Sequence, residues 1–156
     1  MNYPCLKINL SKVGNNCRII NDRCAGKGIS VVGVLKCVLA SPSIASVYKE
    51  NGIDILGDSR LGNIKKLSSQ FGSGQKLILL RTPMISEVNE VVDICYASMN
   101  TQEKTVKAIS EICTARGLIH RIIVMVEIDD KREGLLPKNV MKFCRYVVNN
   151  CPGIKI

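Results

Sequence analysis

An α/β fold with a parallel sheet is predicted by three observations. Apolar runs of strand length alternate with stretches of helical periodicity about six times along the chain. No linker or low-complexity segment interrupts the alternation, so the 156 residues form one unit without an internal boundary. Polar side chains also gather at the C-terminal ends of the strands: Lys36, then Asp58, Ser59 and Arg60, then Arg81, then Ser98 and Asn100, then Asp129 through Arg132.

Taken in order, residues 4–10 are an extended start. Residues 11–28 carry Val13, Cys17, Ile20 and Cys24 at helical spacing, with Ser11 or Asn9 as cap and Gly26 and Gly28 near the stop. Residues 29–35, with Gly33 among apolar neighbours, read as a buried strand. In the helix over 41–52, Pro42 suits the first turn because its missing N–H would have no partner there, and Gly52 closes the helix. A short strand (53–60) and an amphipathic helix with a Gly-rich end (61–74) follow. Next come a strand stopped by Pro83 (75–83), a short helix (85–92) and a strand (93–100). The clearest helix spans 101–117, with apolar residues at 106, 109, 112 and 113 and Thr101 as cap. Residues 118–130 are the strongest strand, 137–150 the last helix, and 152–156 the start of one more strand.

Composition narrows the function classes. Hydrophobic residues make up 46% of the chain and aromatics 4%, with no Trp, so Ile, Val, Leu and Met must build the core. The net charge of +9 would suit an anionic ligand, yet Lys and Arg are scattered, with only doublets such as Lys65-Lys66. No nucleic-acid motif accompanies them, and nucleic acid is not an expected partner. Eight cysteines stand apart, never as CxxC, and His120 is the sole histidine, so no metal site is expected. Free, mostly buried thiols, no apolar leader and no membrane-length apolar stretch predict a cytoplasmic protein.

Two architectures suit the alternation, an open doubly wound sheet and a (β/α)₈ TIM barrel. GxGxxG and GxxxxGK[ST] are both missing, and polar groups at strand C-termini are where barrel enzymes keep their chemistry, which favours the barrel. About six strands fall short of the eight a barrel needs. The expectation is the N-terminal portion of a barrel, its open edges inviting association.

Lys36 is the residue that strand logic alone leaves unexplained. The simpler reading is a snorkelling lysine whose stem covers apolar surface. The functional one is a Schiff-base lysine, a flexible amine that is nucleophilic toward an aldehyde when desolvated. The commonest aldehyde cofactor is pyridoxal 5'-phosphate (PLP).

Five segments decide between them: "LKINLSKVGNNCRIINDRC", "VVGVLKCVLASPSIA", "GIDILGDSRLGNIKKL", "LILLRTPMISEVNEVVD" and "VMVEIDDKREGLLP". In order and nearly gap-free, they resemble the N-terminal barrel part of alanine-racemase-like PLP-dependent amino-acid racemases, most of all the branch that includes the ornithine racemases. The resemblance implies that residues 1–156 are a partial barrel domain. It implies that Lys36 holds PLP and takes the α-proton of the cofactor-bound amino acid. It implies that Arg132 approaches the cofactor's phenolic oxygen. Asp58, Ser59, Arg60, Arg81 and Asn100 are candidates for the pocket or for substrate contact, Arg60 or Arg81 by a bidentate contact to a carboxylate. Cys37, next to the lysine, is expected on the other face of its strand, buried and inert. His120, opening its strand at the end away from the chemistry, is expected to be structural.

The same resemblance marks what these residues lack. The second acid/base, a tyrosine of a C-terminal β domain reaching across a homodimer, has no counterpart here. Nor do the barrel loops that hold the phosphate. Ala40 stands where alanine racemases carry a phosphate-contacting tyrosine, and ornithine-type members differ in the same region. The fragment alone is therefore expected to be inactive. The alternatives are a non-catalytic PLP-binding homeostasis protein and a half-barrel module that pairs with a second chain.

Overall fold

Six short strands pair in chain order, all parallel: β1 (Val32–Val34), β2 (Ile55–Asp58), β3 (Lys76–Leu79), β4 (Ala97–Asn100), β5 (His120–Val124) and β6 (Ile154–Lys155). They are seen in a computed structural model that describes residues 4–156. The helices are α1 (Leu10–Ala25), α2 (Pro42–Glu50), α3 (Leu61–Phe71), α4 (Val88–Ile94), α5 (Glu103–Arg116) and α6 (Pro137–Asn150). Parallel neighbours require a crossover, and α2 to α6 each supply one.

The register shows which face those crossovers cover. Leu56 is paired with Gly33 and Leu77, Leu79 with Asp58 and Ser98, and Ser98 with Ile122. Side chains in these rows share a face. On it, Leu35, Leu56, Leu77 and Leu79 pack against Ile44 and Ala45 of α2, Ile64 and Leu67 of α3 and Val91 of α4. Ile122 packs against Val106 of α5 and Phe143 and Val147 of α6. All five crossover helices thus lie on one side of the sheet. A doubly wound fold would divide them between two sides, whereas a barrel puts every helix outside. This is the expected partial barrel, with β1 and β6 as its edges. A Cβ at Gly33 would lie 2.4 Å from a ring carbon of Tyr48, so only glycine lets α2 settle this close to β1.

Several local expectations shift. Of the strand expected over 29–35, Val32–Val34 pair with β2 and the Leu35 amide donates to the Gly57 oxygen at 3.0 Å, after which the chain turns out of the sheet at Lys36. β5 ends at Val124, after which the chain leaves the sheet to form a bridge between Val126 and Leu135. α4 runs on through Ile94, taking Asp93 and Ile94 from the expected strand, since Ile94 packs against the helix-side core. Asn9, not Ser11, caps α1, its Oδ1 accepting from the Lys12 amide at 2.9 Å. Gln102 occupies the cap of α5, while the Thr101 hydroxyl lies 3.3 Å from that of Thr82. Ile20 is exposed because α1 rests on α2 through Gly14 and Cys17.

The thiols also differ from expectation. Cys17, Cys95, Cys113 and Cys151 are buried, but Cys5 and Cys37 are exposed. Cys37 is not on a strand at all. It sits in a 3₁₀ turn (Lys36–Val38), where strand alternation does not apply. Among the described residues, no helix is long and apolar enough to cross a membrane, and no three His, Cys, Asp or Glu side chains gather to hold a metal ion.

Candidate active site

The face opposite the helices is the barrel's inner wall. Val34, Gly57, Ile78, Ala97 and Arg121 stand on one level of it. One step toward the strand C-termini, Leu80, Met99 and Ile123 line a cavity of 540 Å³ together with Lys36. The rest of the wall is largely apolar, and Asp130, Arg132 and Glu133 complete the rim from the loop after β5. Lys36 and Arg132, nearly a hundred positions apart in sequence, therefore face one space.

Each of the two cations sits on an unusual backbone. The turn that carries Lys36 runs into Leu39 and Ala40, both left-handed with φ of 51°. It is held by the Val38 and Ala40 amides, which donate to the Leu35 oxygen at 3.2 Å, and by Lys66 Nζ, which donates to the Leu39 oxygen at 3.1 Å. Asp129 and Lys131, beside Arg132, are left-handed as well, with φ of 74° and 52°. Non-glycine residues in this region cost about 1–2 kcal/mol each and persist where surrounding contacts hold them.

The other candidates lie elsewhere. Asp58 is fully buried on the helix side, where Oδ1 accepts from the Arg60 amide at 2.8 Å and Oδ2 from Asn63 Nδ2 at 3.0 Å. It closes the start of α3. Arg60 is exposed and Ser59 half-buried, and neither lines the cavity. Arg81 Nε donates to the Ser59 oxygen at 2.7 Å, and its two terminal nitrogens meet both Glu87 oxygens at 2.8 and 2.7 Å. The hydrogen bond to Glu87 raises the Arg81 pKa, and the same bond lowers that of Glu87. A guanidinium so engaged is bound to its own chain. Glu87 was not visible as this partner in the sequence, since the two meet only when the β3–α4 connection folds back.

Asn100 is buried too, its Nδ2 donating to the Ser98 oxygen at 3.1 Å and to Ser98 Oγ at 2.9 Å. Ser98 Oγ lies 2.9 Å from His120 Nε2. With two lone pairs and one hydrogen, the Ser98 hydroxyl serves a neutral imidazole in either tautomer while it accepts from Asn100. Burial pushes the His120 pKa down to about 4, in keeping with that state. Burial likewise pushes the Cys95 thiol up to about 12, which makes it an inert core residue.

The family described as "Alanine racemase, N-terminal domain" matches residues 8–156. An ornithine racemase of Acetoanaerobium sticklandii is 32% identical over 140 residues, which cover 90% of this chain and 39% of the relative. A lysine racemase of Thermotoga maritima is 34% identical over 135 residues, 86% of this chain and 38% of the relative. The chain thus spans under two fifths of the length of the curated relatives it matches. Among solved structures, an alanine racemase from Clostridium difficile 630 superposes with a TM-score of 0.78 at 17% identity, over 95% of this chain and 38% of the other. A D-threonine aldolase from Filomicrobium marinum superposes with a TM-score of 0.80 at 14% identity, over 96% and 41%. These likenesses speak for the fold.

Proposed function

The chain belongs to the family of alanine racemase N-terminal domains, and from that footing we propose that it is the cofactor-holding part of a PLP-dependent amino-acid racemase. The observation that carries the reading is the convergence of Lys36 and Arg132 on one cavity. Its volume of 540 Å³ lies within the range of small-molecule sites, and its lining offers Lys36 and Arg132 to an anionic aldehyde beside the acidic Asp130 and Glu133. Bound there, PLP would supply an electron sink for negative charge developing at the α-carbon of an amino acid.

The chain's own residues do the rest. Lys36, the one lysine among the residues lining the cavity, would hold the cofactor through its amine and, once released, would take the α-proton on its side. Arg132 would supply a fixed positive charge to the cofactor's phenolic oxygen, as the family resemblance implies. Inversion needs a second proton donor on the opposite side, which we assign, with the phosphate cradle, to further barrel strands and a β domain in a homodimeric parent. The substrate is an amino acid with a cationic side chain. Two curated relatives are named for ornithine and lysine, and the cavity rim presents the carboxylates of Asp130 and Glu133 to such an ammonium end.

The test is borohydride reduction of the chain with PLP, followed by peptide mass mapping. A reduced adduct on Lys36 that disappears in Lys36→Ala is expected. Its absence both here and in an eight-stranded form would overturn the reading. Exchange of the substrate α-proton in deuterated water by the complete protein is expected of a racemase and not of a carrier that only binds PLP.

A further inference from the structure

We infer that Glu127 is the positioning residue for Arg132, its carboxylate folding the loop that carries the guanidinium to the cavity. The inference rests on the cofactor reading above. Glu127 Oε1 accepts from the Lys131 amide and Oε2 from the Arg132 amide, each at 3.1 Å. Both oxygens are thus spent on two consecutive backbone N–H groups, and Glu127 forms no ion pair among the described residues.

The base of this fork is fixed. The Glu127 amide donates to the Leu135 oxygen and the Leu135 amide to the Met125 oxygen, both at 2.8 Å. Gly134 passes so close that a Cβ on it would lie 2.3 Å from the Glu127 nitrogen. Between base and fork, Asp129 and Lys131 hold their left-handed conformations, which need such external restraint to persist. The other left-handed non-glycine residues among those described, Leu39 and Ala40, follow Lys36. Backbone strain is therefore concentrated at the two cations of the cavity.

The clamp does not serve the core. Residues 128–133 are all exposed, and none belongs to a buried cluster. What the loop delivers is its lining of the cavity, including Asp130, Arg132 and Glu133. A carboxylate that orders a loop with no packing role acts on what the loop presents.

The experiment uses the 156-residue chain as wild type, Glu127→Ala, Glu127→Gln, Gly134→Ala, Arg132→Ala and the Glu127→Ala/Arg132→Ala double variant. Amide hydrogen exchange at Lys131 and Arg132 and the dissociation constant for PLP are measured on each. Glu127→Ala should speed exchange at those two amides about tenfold or more, since hydrogen bonds to a charged acceptor are lost. Glu127→Gln, which keeps one acceptor oxygen, should fall between, and Gly134→Ala should open the same loop with the carboxylate intact. Glu127→Ala should weaken PLP binding to within about threefold of Arg132→Ala, and the double variant should add almost nothing, the mark of two residues acting as one. Unchanged exchange, or additive losses of affinity, would overturn the role of Glu127 while leaving the cofactor reading in place. A wild-type protein that takes up no PLP, either as the 156 residues or in an eight-stranded form, would overturn both, whatever the exchange rates.

Discussion

Both faces of the sheet carry polar residues, yet they use them differently. On the helix side, Asp58, Ser98, Asn100 and His120 are buried, and nearly every polar atom is answered by a hydrogen bond within the chain. The Asn100 Oδ1 is the exception. On the inner side, Lys36 and Arg132 end in an open cavity with apolar walls. A polar group at the C-terminal end of a barrel strand is therefore not yet a site residue. Which face it takes decides between fold and chemistry.

Core truncation should break the symmetry most. Leu79→Ala, at a fully buried helix-side position, is expected to cost about 3 kcal/mol. Ile123→Ala, on the inner wall and 40% exposed, should cost under about 1 kcal/mol. Equal shifts in denaturation midpoint would show that the inner wall is packed in solution and end the contrast.

Acid comes next. His120 is held down to about 4 when folded, against 6.5 for the free group. The unfolded chain thus takes up the proton first as pH falls. This contribution to stability is complete above pH 6.5, declines as pH drops toward 4 and is then exhausted, a change of about 3 kcal/mol. Comparing wild type with His120→Gln across that window isolates it, and parallel curves would refute the buried neutral imidazole.

Smaller effects sharpen the comparison. Asp58→Ala should lose about 1–2 kcal/mol, as for a lost helix cap, without altering the PLP adduct on Lys36. In the complete protein, neutralising both Asp130 and Glu133 to their amides should lower kcat/KM for ornithine relative to alanine by about tenfold. Lys36→Ala should change stability by under about 0.5 kcal/mol, because the residue is exposed, and yet abolish the adduct.

Alternation of strand and helix was legible because each element has its own apolar period, and periods survive without knowledge of the partner. The same logic picked out Lys36, an amine at the mouth of an apolar strand, while Arg132 came only through family resemblance. Pocket membership for Asp58, Arg81 and Asn100 was not legible. Asp58 and Asn100 have the parity of the helix side, and that parity depends on register across strands far apart in sequence. Arg81 is claimed by Glu87 after the chain turns back. Cys37 misled because its strand stops at Val34, three residues before it, and the chain enters a strained turn at Lys36.

By itself, then, the sequence determined the order and kind of the elements, the parallel sheet, the family and the lysine, all encoded in local periodicity and in short motifs. Tertiary structure alone decided that Asp58 and Asn100 turn to the helix side, that Glu87 claims Arg81, and that Glu127 folds the loop between β5 and α6. The physical reason is common to all three. Facing, ion pairing and loop closure are set by hydrogen bonds and packing that form only when the chain folds back on itself, and no local pattern records which of those partners will meet.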